Sequence, residues 1–195
     1  MDKPISNIEV YGLEKAIKAS KYPMLTDVSK ATAEVTDTVK KLWSAPTGSG
    51  HDTSLSGVLV KFDLTLTNKA WVEAERYHFL FFDSSQSTMH RAFKMDIESS
   101  CCEYVVPMII HTVEQLKERY LETKDPEDYL RLLYNMPSGF MLTAGMSTNY
   151  QQLKTIYYQR RNHRLPEWGL FCKQLEEEFP MFKELVLDPR NDSND

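Results

Sequence analysis

Ala74–Arg91 reads AERYHFLFFDSSQSTMHR. A charged, aromatic opening (Glu75, Arg76, Tyr77, His78) gives way to an apolar run, Phe79 to Phe82. A hydroxyl-rich turn follows, closing on His90 and Arg91. Two arginines, two histidines and four Ser/Thr hydroxyls fall within these eighteen residues. Guanidinium groups pair with phosphate oxygens, and hydroxyls with loop amides complete such a shell. The same composition also describes a solvated strand-to-turn junction. The flanking chain decides between the two.

Just upstream lies the clearest strand pattern. Val58, Val60, Phe62, Leu64 and Leu66 alternate with Leu59, Lys61, Asp63, Thr65 and Thr67, a period of two that gives one core face. Gly50-His51-Asp52-Thr53-Ser54 stands before it, a turn whose histidine and hydroxyls could bind a cofactor phosphate or ribose, or merely start the strand. Before that, Ile5–Tyr11 reads as a strand and Leu13–Ser20 as a helix. Thr26-Asp27 supplies cap chemistry for a helix reaching about Trp43, with Val28, Ala31, Val35, Val39 and Leu42 at helical spacing. Asn68 is expected to cap a short helix through Trp71 and Ala74 to about Tyr77.

Downstream the chain is mostly helical. Val106 to about Thr123 turns Ile109, Ile110, Val113, Leu116 and Tyr120 to one side. Asp125-Pro126 caps and opens a helix to about Tyr134. Phe140–Met146 reads as a strand, and Thr148-Asn149 caps a helix carrying Leu153, Ile156 and Tyr157 inward. The other side of that helix, Gln151, Thr155, Gln159 and Asn162, is polar, and Arg160, Arg161, His163 and Arg164 close it. Those cations complement the helix dipole or line a cleft. Pro166 opens a helix with Trp168, Phe171, Leu175 and Phe179, a short helix spans Pro180 to Leu187, and 188–195 reads as a disordered polar tail. A single domain over 1–187 is expected.

Composition narrows the function classes. The net charge of -5 speaks against a general nucleic-acid binder. No apolar run is long enough for a membrane span, and the N-terminus lacks a signal pattern, so a cytoplasmic protein is expected. Three cysteines, Cys101, Cys102 and Cys172, form no disulfide framework and no zinc spacing. Glu75-x-x-His78 has di-iron ligand spacing but no second copy, so no metal site is expected. Gly-x-Gly-x-x-Gly, Walker and Gly-x-Ser-x-Gly sequences are all missing.

Taken together, three segments resemble the flavin-dependent thymidylate synthase family, in a divergent form of the kind phage-related genomes carry. Gly50-His51-Asp52-Thr53 is similar to the family's Gly-His-x-Thr/Ser turn. Arg76-Tyr77-His78 with Ser84-Ser85-Gln86-Ser87 resembles its Arg-His-Arg-x7-Ser signature, with Tyr77 and His78 replacing His and Arg and one extra residue before Ser87. Asn149-Tyr150-Gln151-Gln152-Leu153 and Arg160 resemble its Asn-x-Arg-Ser-Leu helix, with Gln151 in place of the first Arg.

The resemblance implies an α/β (α+β) fold, a mixed or antiparallel sheet with a helical layer, of the thymidylate-synthase-complementing-protein type. It also implies a homotetramer with active sites between subunits. FAD would be held by His51, Thr53, Arg76, His78, Asn149 and Gln151. The deoxyuridine nucleotide would meet Ser87, Arg91, Arg160 and Arg161, with Arg160 or its neighbour Arg161 polarising the uracil ring. Methylenetetrahydrofolate and NADPH would be co-substrates. The rival reading is a degenerate homologue that binds or sequesters a nucleotide without flavin chemistry.

Overall fold

The structure, a computed structural model, describes residues 3–187; the tail expected at 188–195 lies outside the described residues. Strand β1 (Ile5–Tyr11) leads through Gly12, which has φ 78°, into helix α1 (Leu13–Ser20). Only glycine suits that junction, because a Cβ on Gly12 would stand 2.6 Å from the Gly57 carbonyl oxygen. Helix α2 is Asp37–Trp43, strand β2 Leu59–Thr67, helix α3 Asn68–Ala74 and strand β3 Phe81–Ser85. The short helix α4 (Thr88–Arg91) precedes α5 (Pro107–Thr123) and α6 (Pro126–Tyr134). Strand β4 (Met141–Asn149), α7 (Tyr150–Arg160) and α8 (Pro166–Glu178) follow, and a π-helical turn spans Phe182–Val186.

The four strands form one antiparallel sheet in the order β1-β2-β4-β3. The expected alternation in β2 holds: Val60, Phe62, Leu64 and Leu66 are buried. They pack with Ala144 and Met146 of β4 against α7 and α8, where Phe62 lies 6.4 Å from Phe171 and 6.0 Å from Phe179 by ring centroids. At the β1 end the buried Gln174 side chain of α8 clasps one residue from both sides. It accepts from the Ile5 N–H (2.8 Å) and donates to the Ile5 carbonyl (3.0 Å).

Three expectations give way to local chemistry. The helix expected from Thr26 to Trp43 is a single 3-10 turn at Val28–Lys30, an extended stretch, and then α2. Asp27 does cap, accepting from the Ser29 N–H. The Lys21 ammonium, however, takes the carbonyls of Thr32 and Glu34, which holds β-branched residues in extended form, and Thr36 is the cap of α2. Helix α3 is capped by Thr67, not Asn68, and ends at Ala74, so Glu75 and His78 share no helical face. The segment Pro180–Leu187 holds only the π-helical turn.

A second, smaller cluster lies beneath α5 and α6, built from Ala92, Ile97, Val113, Leu132 and Phe140. Val113 is fully buried there, whereas Ile109 is 43% exposed. Asp128 of α6 ties the two helices together. Its carboxylate accepts from the Thr123 hydroxyl (2.9 Å), Arg119 (3.0 Å) and Arg131 (2.7 Å), and these partners, Thr123 foremost, hold it below the usual carboxylate range. A depressed native pKa adds stability that is present above the unfolded value of about 3.9 and lost as pH falls through the native one. Asp128→Asn should therefore lower the melting temperature at pH 7, and that gap from wild type should close below about pH 4. Parallel melts of both proteins across pH 7 to 3 check it. Among the described residues no helix is long and apolar enough to cross a membrane.

Candidate functional site

One end of the sheet brings together two of the segments singled out in the sequence, the His51 turn and the Asn149 cap. There β2 begins at Leu59, opposite both Tyr11 of β1 and Asn149, where β4 ends. Phe81 of β3 pairs with Ser147 close by, and the Thr148 hydroxyl donates to the Phe79 carbonyl at 2.9 Å. Asn149 then turns the chain into α7, its side chain accepting from the Gln152 N–H at 3.0 Å. The His51 turn and the Asn149 cap thus share one rim, which the loop after α3 reaches at Phe79.

His51 and Thr53 are exposed on the turn before a 3-10 stretch, Thr53–Gly57. The Thr53 hydroxyl donates to the Gly50 carbonyl at 2.7 Å, which closes the turn. Beside it opens a cavity of about 570 Å³. Ala19, Pro23, Met24 and Leu42 supply apolar walls, while His51 and Thr53 supply polar ones. Apolar walls with a few convergent polar groups suit a flat heteroaromatic ring.

The turn is joined to α7 through Asp52, which is fully buried. One carboxylate oxygen accepts from the Gln151 amide at 3.2 Å and the other from the Lys154 ammonium at 2.9 Å. Gln151 reaches the His51 turn, then, by way of the residue between His51 and Thr53. Neither Asp52 nor Lys154 stood out in the sequence. The available signal was position: Lys154 lies four residues after the buried Tyr150 and beside Leu153, on the inward side of α7, where a lysine is out of place.

Arg76 and His78 are exposed on the turns after α3, flanking the half-buried Tyr77. The Tyr77 hydroxyl accepts from Arg160 Nε at 2.6 Å. Burial pushes the Tyr77 phenol up, and the Arg160 contact pulls against it. Arg160, 8% exposed, lies between the Tyr77 ring (5.3 Å) and the Trp168 ring (5.0 Å). Its terminal nitrogens approach Glu73 only at 3.4 Å. Tyr77 therefore holds the helix arginine, a link the spacing along the chain did not reveal. Arg161 stacks on Tyr158 at 5.6 Å instead.

Ser87 and Arg91 lie elsewhere. Gln86 pairs with Thr143, six positions along β4 from Asn149, a separation of about 20 Å at strand rise. Ser87 caps α4 with its carbonyl, and exposed Arg91 ends that helix beside the second cluster, where Tyr129 donates to the Thr88 carbonyl at 2.8 Å. Within one chain the nucleotide candidates Ser87 and Arg91 are separated from the flavin candidates. Among the described residues no group of three or more His, Cys, Asp or Glu is placed to hold a metal. Burial pushes the Cys172 thiol up to about 12, which leaves it an unreactive core group.

The sequence matches no family pattern, and no curated protein matches it. Solved structures do. The flavin-dependent thymidylate synthase ThyX from Helicobacter pylori, complexed with FAD and dUMP, has a TM-score of 0.73 over 94% of this chain and 98% of its own, at 14% identity. A second ThyX structure from that organism, with FAD and dUMP, scores 0.72 over 92% and 94%, at 17% identity. The UMP/dUMP methylase PolB from Streptomyces cacaoi, bound with 5-Br dUMP, scores 0.60 over 94% and 92%, at 14% identity. Identity this low speaks for architecture alone, and the architecture is that of the flavin-dependent thymidylate synthases.

Proposed function

We propose that this chain is a flavin-dependent enzyme that transfers a one-carbon unit from methylenetetrahydrofolate to the base of a deoxyuridine nucleotide, with NADPH as reductant. The observation that carries the reading is the rim itself. The His51–Thr53 turn and the Asn149 cap of α7 meet at one sheet end, beside a cavity of about 570 Å³. They do so in a fold shared with proteins crystallised with FAD and dUMP.

His51, Thr53, Arg76, His78, Asn149 and Gln151 are the residues proposed to hold FAD, which when reduced supplies the hydride. The donor set fits such a group: exposed imidazole and hydroxyl for ribityl or phosphate oxygens, exposed guanidinium for the diphosphate, and apolar walls for a ring. Arg160 is proposed to face the base. Its terminal nitrogens carry four protons and make three long contacts, at 3.4 Å, to the Glu73 carboxylate and carbonyl, so one donor is left for a carbonyl oxygen on which negative charge develops. Arg161 is the neighbouring candidate. Ser87 and Arg91 would reach the nucleotide phosphate from a second copy, which is how a homotetramer with sites between subunits accommodates their distance from Asn149.

Titrating the purified chain with FAD, followed by flavin fluorescence, and separately with dUMP, tests the reading. Stoichiometric uptake of both is expected, with rescue of a thymidine-requiring host. Retained dUMP binding without any flavin uptake would overturn it in favour of a nucleotide-binding protein without flavin chemistry.

A further inference from the structure

The segment 44–52 (SAPTGSGHD) is poorly suited to hold its own shape. Gly48 and Gly50 have φ of 86° and 78°, and nothing lies within 4 Å of the side-chain position at either. The bonds inside it are few: the Ser49 N–H donates to the Pro46 carbonyl (3.1 Å) and the His51 N–H to the Ser49 hydroxyl (3.3 Å). Both ends of the segment, however, converge on one atom. Lys154 Nζ donates to the Trp43 carbonyl (2.7 Å) and the Ala45 carbonyl at the start of the loop, and to the Asp52 carboxylate (2.9 Å) at its end. An ammonium has three protons to donate, and these are three acceptors in reach.

The Lys154 and Asp52 side chains have no exposed surface. Removing both charges from water is costly, and a buried ion pair is a weak source of net stability compared with apolar residues of similar size. Its neighbours Leu153, Ile156 and Tyr157 are core residues, so an apolar side chain would serve the packing at this position. What an apolar side chain cannot do is select one conformation for a glycine-rich loop. His51 and Thr53 are the immediate neighbours of the residue the lysine grips, and both line the cavity.

We propose that Lys154 is a positioning residue. Through Asp52 it clamps the two ends of the 44–52 loop and sets the pose of His51 and Thr53 before a ligand arrives, so that binding need not supply the ordering of the loop. The proposal rests on the reading of that turn as a flavin contact, and it makes the affinity for flavin depend on a residue that never touches it.

The test compares wild type, Lys154→Met and Asp52→Asn in the full chain. FAD affinity is read by flavin fluorescence below the melting range, and amide hydrogen exchange is read separately for 44–53 and for β2 and β4. In both variants the expected result is at least tenfold weaker FAD binding and at least tenfold faster exchange in the loop, with β2 and β4 protected as in wild type. A folded Lys154→Met protein with a lower melting temperature but with FAD affinity and loop exchange within twofold of wild type would overturn the proposal. Should that variant not fold, Asp52→Asn, which keeps the shape but removes the charge and replaces one of the two acceptor oxygens with an amide donor, is read by the same criteria. If wild type takes up no FAD, the flavin reading fails by itself. Loop exchange then decides whether the clamp exists, and unchanged rates reject it.

Discussion

Arg160→Ala should abolish measurable dUMP binding while Arg164→Ala leaves it within a few-fold of wild type. The two residues are four positions apart, Arg160 ending α7 and Arg164 in the segment after it, and differ in surroundings. Arg164 is exposed on the surface, with no ion pair among the described residues, so its loss removes a diffuse charge. Arg160 is held between two aromatic rings with its Nε fixed on Tyr77, which leaves the terminal nitrogens aimed by the protein. A preset guanidinium fork is worth more to a ligand than a flexible one, because its ordering has already occurred. The alanine variant should also lose about 2–4 kcal/mol of stability, since Glu73 and Tyr77 lose a partly buried charged partner. Binding is therefore compared by calorimetry at low temperature, where both proteins are folded. Equal effects of the two substitutions would mean that Arg160 serves packing only.

The largest stability effect is expected at Trp168. It is fully buried, 5.6 Å from Phe171 and 6.1 Å from Tyr77 by ring centroids, with Arg160 across its face. Trp168→Ala should cost about 3–5 kcal/mol through lost burial and the cavity left behind. That is roughly 10 °C or more in melting temperature for a chain of this size. Trp168→Phe should cost far less. The indole N–H has no hydrogen-bond partner among the described residues, so phenylalanine keeps much of the ring and removes an unsatisfied donor. Urea unfolding of both variants checks the order, and a phenylalanine variant as unstable as the alanine one would show that the indole N–H is satisfied in solution.

What could be read from the chain follows the range of the forces involved. The alternation of Val60, Phe62, Leu64 and Leu66 is a local pattern and survives folding unchanged. So do the caps at Asn149 and Asp125, whose partners lie within three residues. The stretch from Thr26 failed because Lys21, outside any helical window, captures its carbonyls. Lys154 was invisible for a related reason. Its acceptors lie 102 to 111 residues away, and only the folded chain turns a charged side chain into a core one. Tyr77 read as a departure from a signature, whereas its hydroxyl, 83 residues from Arg160 along the chain, holds that arginine in place. The motifs named the His51 turn and the Asn149 cap together, and the fold brings these two close; the tie between them through Asp52, and the distance of Ser87 and Arg91 from both, lay outside any local pattern.

The grip of Gln174 on Ile5 has a consequence for how the protein is made. Those residues are 169 positions apart, and the same amide side chain saturates both backbone groups of the strand residue. While the chain emerges from the ribosome, β1 can pair with β2 early, but its buried end stays open until α8 has been synthesised and released. Contacts of such long sequence separation form late and slowly. Until then the Ile5 end of the edge strand is unsealed, the kind of surface on which chaperones act and through which neighbouring nascent chains can pair. Production at lowered temperature, where synthesis slows and apolar association weakens, favours the interval in which that last clasp closes.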